Sequence, residues 1–119
     1  ILIADKDKIS IDTTIKTFKS ENYKFTEVTK TKDLVSIIKK DKPDLVILEV
    51  DLNEADGIEI CWDIRADASL SRLPIVFYSN RSDDFTQITA FEAGADEFVS
   101  KTSRSRLFTN RIKALLRRS

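Results

Sequence analysis

The chain has 119 residues, 41% hydrophobic and 34% charged, with 20 basic and 20 acidic side chains and no net charge. That length supports one domain with a single core, and no apolar run approaches the roughly 18 residues of a membrane helix. Histidine is absent and Cys61 is the only cysteine, which removes an intramolecular disulfide, Cys–His and Ser–His catalytic pairs, and most routes to zinc.

In chain order, the run ILIA at 1–4 reads as a buried strand. Ile11, Ile15 and Phe18 then share one face of a helix over about 7–20, with Asp7 as its N-cap. KFTEVT at 24–29 alternates apolar and polar, as a half-covered strand does. A second helix is predicted over about 32–41, capped by Thr31, with Leu34, Ile37 and Ile38 inward. DLVILEV at 44–50 is a continuous apolar strand, the pattern of a parallel sheet covered on both faces. Asp56-Gly57 marks a turn into a helix that buries Ile58, Cys61 and Ile64 and carries Trp62.

Pro74 opens the strand PIVFYS at 74–79. Ser82 is the expected cap of a fourth helix with Phe85 and Ile88 inward, ended by Gly94. DEFVS at 96–100 is a last short strand, and a helix over about 104–118 carries Leu107, Phe108, Ile112, Leu115 and Leu116. The order βαβαβαβαβα implies an α/β fold with a five-stranded, parallel, doubly wound sheet. In such sheets the functional crevice lies at the carboxyl ends of the strands, near the point where the winding reverses. Those ends are Asp5 and Lys6, Glu49, Ser79 and Lys101.

Charge is unevenly spread. No acid follows Glu97, while Lys101, Arg104, Arg106, Arg111, Lys113, Arg117 and Arg118 do. A solvated helix face and contact with acidic groups of a partner both account for such a run. Met is absent and Ile1 already reads as strand, so the expectation is a segment of a longer chain. A reducing compartment is consistent with the single cysteine.

The segments ILIADKD, PDLVILEVDLNEADGIEICWDIR, LPIVFYS, FEAGADEFVSK and RIKALLRR, in this order and spacing, resemble the receiver domain of bacterial two-component response regulators. The resemblance spans essentially all 119 residues. It implies a flavodoxin-like (βα)5 fold with strand order 2-1-3-4-5, a single receiver domain over 1–119, and a cytoplasmic protein whose C-terminal output domain lies outside this segment. Receivers of this family use two acids after the first strand to bind Mg²⁺, and an Asp ending the third strand to accept a phosphoryl group. A hydroxyl, a lysine and an aromatic residue complete the switch. The implied matches are Asp5 for the first acid, Ser79 for the hydroxyl, Phe98 for the aromatic and Lys101 for the lysine.

Five departures from the family pattern are visible, one of them Asn53, where a proline is common in the loop after the acceptor. Lys6 stands where the second acid is expected, and Glu49 where the acceptor Asp is expected. Asn80 replaces the usual small residue after the hydroxyl, and Thr102 the usual proline after the lysine. Mg²⁺ needs clustered oxygen ligands at about 2.0–2.1 Å, so losing one acid and gaining a cation predicts weak or absent metal binding, with no metal-ligand set assigned. Glu49 carries one extra methylene, and misplacement of about 1 Å can cost on the order of 10²-fold in an in-line transfer.

Three readings of the altered site stay open from the sequence. Lys6 or Lys101 pairs with Glu49 and replaces the metal by an internal ion pair, holding Ser79 and Phe98 in one arrangement. Alternatively the site is inert. In the third reading, phosphorylation persists on Glu49 or on nearby Asp51. None makes the domain an enzyme in its own right. The resemblance to receivers with winged-helix outputs implies a homodimer through the fourth helix, fifth strand and fifth helix, with Glu92, Asp96, Glu97, Arg111 and Arg118 on its face. It further implies a sensor kinase as partner, DNA contact only through the output domain, and no membrane contact. The competing functions are an unphosphorylated regulatory domain, a phosphorelay receiver with relaxed residues, and a stand-alone docking adaptor.

Overall fold

A computed structural model describes residues 1–118. The elements are β1 (Leu2–Ala4), α1 (Lys8–Lys16), β2 (Thr26–Val28), α2 (Leu34–Asp41), β3 (Val46–Leu48), α3 (Gly57–Ala66), β4 (Ile75–Ser79), α4 (Asp84–Glu92), β5 (Glu97–Ser100) and α5 (Ser105–Arg118). A short 3-10 turn, Ala68–Leu70, follows α3. All strands pair in parallel, in the order β2-β1-β3-β4-β5. The expected α/β architecture and strand order are therefore present.

The strands alternate their side chains between two covered faces. Leu2, Ala4, Val46, Leu48, Ile75 and Phe77 meet Leu34, Ile38, Ile60, Cys61, Ile64 and Ala90 from α2, α3 and α4. On the other face Ile3, Ile47, Val76 and Val99 meet Ile11, Phe108, Ile112 and Leu115 from α1 and α5. Winding reverses between β1 and β3, which opens the crevice at their carboxyl ends.

Local chemistry explains most boundaries. Asp7 caps α1 by accepting from Ile9 N, and Asp56 caps α3 by accepting from Ile58 N. α1 stops at Lys16, shorter than the helix predicted to about 20. Phe18 still reaches the core from the following turn, where its ring lies 5.8 Å from those of Phe25 and Phe108. α4 ends with Gly94 at φ 106°, with Gly94 N–H donating to Phe91 O and Ala95 N–H to Ala90 O. This is the paired bonding of a Schellman cap.

Two caps differ from expectation. The residue at the start of α2 is Asp33, in a left-handed conformation with no side-chain capping bond, and Thr31 does not cap it. For α4 the cap is Asp83, not Ser82: its carboxylate accepts from Thr86 N and Thr86 Oγ1. That cap and the Gly94 ending fix the rotation of α4. Thr86, Ala90 and Ala93 face the sheet, whereas Phe85 and Ile88, expected inward, are 73% and 57% exposed. The segment carries two stripes at helical spacing, and the one with small side chains allows the closer approach to β5. In α3, Ile60 is buried and Ile58 only half-buried.

Gly57 sits where α3 leaves the crevice, its N–H donating to Val50 O. A Cβ there would overlap the Glu49 carbonyl oxygen and lie 3.2 Å from the Phe77 ring. Gly57→Ala is expected to lower stability by about 1–3 kcal/mol, read as a lower midpoint in urea with an unchanged slope.

Candidate functional site

Asp5 follows β1 and is buried. Its backbone N–H donates to Val28 O, which holds it at the strand end. Its side chain has two partners: Oδ1 accepts from Asp7 N–H at 2.9 Å, and Oδ2 accepts from Lys101 Nζ at 2.6 Å. Glu49 follows β3, is also buried, and is anchored by its N–H donating to Ala4 O. Its longer side chain folds back, so that Oε1 accepts from the next backbone N–H, that of Val50, at 2.8 Å. Oε2 lies 2.7 Å from Lys101 Nζ.

Lys101 follows β5, with its backbone N–H on Ser79 O. Parallel strands lie about 4.8 Å apart, and β4 stands between β5 and β3. Only a long side chain spans that gap to both carboxylates. The Lys101 side chain is 14% exposed. Burial alone lowers a lysine pKa, but the hydrogen bonds and charges of Asp5 and Glu49 outweigh it, and the Lys101 pKa is raised.

Ser79 is buried at the end of β4, and its Oγ accepts from Arg81 N–H at 3.0 Å. Phe98 is half-buried and stacked on Phe77, with ring centroids 5.8 Å apart. Arg81 also pairs with Asp51 at 3.0 Å, joining the β4–α4 and β3–α3 loops at the surface. The sequence-predicted residues Asp5, Glu49 and Lys101 thus meet directly. Ser79 ends the neighbouring strand but bonds to Arg81 instead. Lys6 is exposed and forms no ion pair among the described residues. Of the two lysines considered as partners of Glu49, Lys101 fills the role and Lys6 does not.

Cys61 is buried, its thiol donates to Ala93 O at 3.4 Å, and burial pushes its pKa up to about 11. It is no nucleophile in this state. Among the described residues no three carboxylate or thiol side chains gather as a metal-ligand group, and no helix is long and apolar enough to cross a membrane.

The expected dimer-face residues divide. Asp96 Oδ2 accepts from Ile75 N at 2.8 Å and Arg65 at 2.9 Å. Arg65 also donates to the Gly94 and Leu73 carbonyls, so this clamp is internal. Glu97 pairs with Arg111 of the same chain at 3.0 Å. Glu92 and Arg118 are exposed. Sequence reasoning pointed to Leu107 with Phe108 or Leu116 as an apolar patch on α5, of which Phe108 is buried, and missed the α4 part of the apolar surface. Phe91 is 47% and Leu107 45% exposed, adding to Phe85 and Ile88. The signal available in the sequence was the second stripe of small residues, Thr86, Ala90 and Ala93, at helical spacing.

The family model for the response regulator receiver domain matches residues 1–113, and the chain belongs to that family. It is similar to the transcriptional regulatory protein AfsQ1 of Streptomyces coelicolor, with 37% identity over 86 residues, covering 72% of this chain and 37% of that protein. Similarity to the transcriptional regulatory protein YvrH of Bacillus subtilis is 30% over 120 residues, covering 100% of this chain and 49% of that one. Among solved structures, a putative response regulator from Chloroflexus aurantiacus superposes with a TM-score of 0.89 at 26% identity, covering 97% of this chain and 94% of that one. The chain spans less than half the length of these curated relatives.

Removing the ammonium leaves two buried carboxylates facing each other. Lys101→Ala is expected to lose about 3–5 kcal/mol near neutral pH, as for one broken partner of a buried pair. The deficit should shrink on acidification, because protonated carboxyls need no cation. In the parent protein the sign is opposite at the alkaline end. A lysine pKa raised above 10.5 in the folded state contributes stability that is full below that value and lost as pH rises through the raised one. Urea midpoints of both proteins across pH check both statements.

Proposed function

We propose that this receiver domain works without conventional phosphorylation and regulates an attached DNA-binding output domain by pairing with a second copy of itself. The observation that carries the reading is Lys101 Nζ, which stands 2.6 Å from Asp5 and 2.7 Å from Glu49. The site does not fit Mg²⁺. One oxygen of each carboxylate takes the lysine, the other takes a backbone N–H, and Lys6 offers no oxygen where a second acid would. A divalent ion would have to displace a buried ammonium and recruit ligands elsewhere. Glu49 has both oxygens occupied and is tied back against Val50, so it is poorly placed as a nucleophile for in-line transfer. No catalytic step is assigned to the domain.

Pairing is supported by the apolar surface on α4 and α5, which pack on either side of the edge strand β5. Phe85, Ile88, Phe91 and Leu107 are too large and too exposed together to be scattered surface residues. Exposed Glu92 on α4 and Arg118 on α5 supply opposite charges for a polar rim, as a two-fold contact of one surface with itself requires. The internal Glu97–Arg111 pair adds at most about 1 kcal/mol. The similarity to named transcriptional regulators, of which this chain spans less than half, supports the output assignment.

Incubation with acetyl phosphate and Mg²⁺ is expected to leave the protein without a phosphoryl adduct by mass spectrometry. The double variant Lys6→Asp with Glu49→Asp should gain one. Labelling of the parent protein that disappears in Glu49→Gln would reverse the reading. Sedimentation equilibrium at micromolar concentration should show a dimer that Ile88→Glu with Phe91→Glu converts to monomer. A parent protein that is strictly monomeric sinks the pairing.

A further inference from the structure

Helix α2 ends on an unusual residue. Lys42 has φ 55° and ψ 54°, in the left-handed region, and its N–H donates to Ile38 O. Glycine is the usual residue at such a helix end, because a Cβ makes that conformation costly. Asp33 is the other non-glycine residue with positive φ among the described residues. A short polar side chain tolerates the region, whereas a lysine gains nothing there. Pro43 follows, and a residue before proline normally extends. Nor is Lys42 needed to balance the helix dipole, since Lys39 and Lys40 already stand in the last turn. Backbone strain of this kind collects at binding sites.

The second observation is what Lys42 borders: a cleft of about 460 Å³ between the end of α2 and the segment leading into β4. That volume falls within the roughly 300–1,000 Å³ of small-molecule sites. Pro43, Leu70, Leu73 and Pro74 give the cleft an apolar lining. Lys39, Lys42 and Arg72 bring three cations, and Asp44 brings one acid. Lys39 lies 3.0 Å from Asp67 and is neutralised by it. Lys42 and Arg72 are exposed and form no ion pair among the described residues. Those two cations against Asp44 leave a surplus of one positive charge.

The wall leading into β4 is fixed from behind. Asp67 Oδ1 accepts from Ser69 N–H at 2.9 Å and from Ser69 Oγ at 2.6 Å. Arg65 donates to the Ser71 and Leu73 carbonyls at 3.3 and 2.7 Å. The cleft is therefore preformed, which lowers the cost of binding. A monoanion matches the surplus charge, and the lining suits a hydrocarbon or aromatic body. Inorganic phosphate would leave that lining unfilled and bring more negative charge toward Asp44. An organic cation would be repelled by Lys42 and Arg72.

We propose that this cleft, at the amino ends of β3 and β4, binds a small organic monocarboxylate, its carboxylate paired with Lys42 and Arg72 and its apolar body on Leu70, Leu73 and the two prolines. The site lies at the opposite end of the sheet from Lys101, and the inference is independent of the reading of that crevice and of dimerisation.

The test is amide NMR of the protein titrated with hexanoate and with phenylbutyrate. Hexanamide, phenylbutyramide, acetate and inorganic phosphate are the controls. At least one of the two carboxylates should move the Ser69, Arg72 and Leu73 amide resonances saturably at millimolar concentration, while the controls do not. Arg72→Gln, a change at an exposed position, should weaken binding about threefold, as for one exposed ion pair. Lys42→Gly should weaken it by a similar factor while raising the melting temperature of the free protein, because glycine accepts the left-handed backbone. Asp44→Asn should tighten binding about twofold. Failure of both carboxylates to saturate overturns the proposal. So does an equal response to the amides, to acetate or to phosphate, or unchanged affinity when Lys42→Gly and Arg72→Gln are combined.

Discussion

One ammonium organises the crevice. Lys101 Nζ is the counterion of both Asp5 and Glu49, two carboxylates buried at the ends of adjacent strands. Taking such charges out of water costs several kcal/mol each, and only close, well-bonded pairing offsets that. The pairing is complete here because each carboxylate also accepts one backbone N–H. The extra methylene of Glu49 is what makes this possible: it lets the carboxylate turn back onto Val50 while still reaching the lysine. Strand register supplies the rest. Ser79 pairs with Ser100, so Lys101 leaves the ladder one residue later and projects across β4.

The loops around the crevice inherit that arrangement. Gly57 leaves no room for a side chain beside the Glu49 carbonyl, which sets where α3 begins. Ser79 is bonded to Arg81 rather than to Glu49, and Arg81 reaches Asp51 on the facing loop. The hydroxyl and the carboxylate are therefore held by separate networks, and Phe98 lies on Phe77 in the core packing. Nothing in these contacts makes Glu49 a stand-in for a phosphorylated aspartate that recruits Ser79.

At the other end of the sheet, α4 separates packing from surface function. Its small residues contact the sheet, and its large apolar residues face outward. A core that needed Phe85 and Ile88 would have rotated the helix by about half a turn. Asp83 and Gly94, one at each end, prevent it. The acidic and basic residues nearby are largely engaged within the chain: Asp96 by Arg65 and Glu97 by Arg111. Apolar contact, rather than a set of salt bridges, is thus what this face has to offer.

The sequence by itself determined the order of elements, the parallel sheet and the residues at the strand ends. Those follow from short apolar runs, helical spacing and caps such as Asp7 and Asp56, all local signals. The family was legible too, because its motifs lie at strand ends in a fixed order. Tertiary structure alone decided which lysine answers Glu49. Lys6 is adjacent to Asp5 in sequence yet points to solvent, whereas Lys101 is 96 residues from Asp5 and touches it. It also decided which stripe of α4 is buried, and that Thr31 is buried without capping a helix. Each of these depends on distances between elements far apart in the chain, and residue spacing along one element carries no information about them.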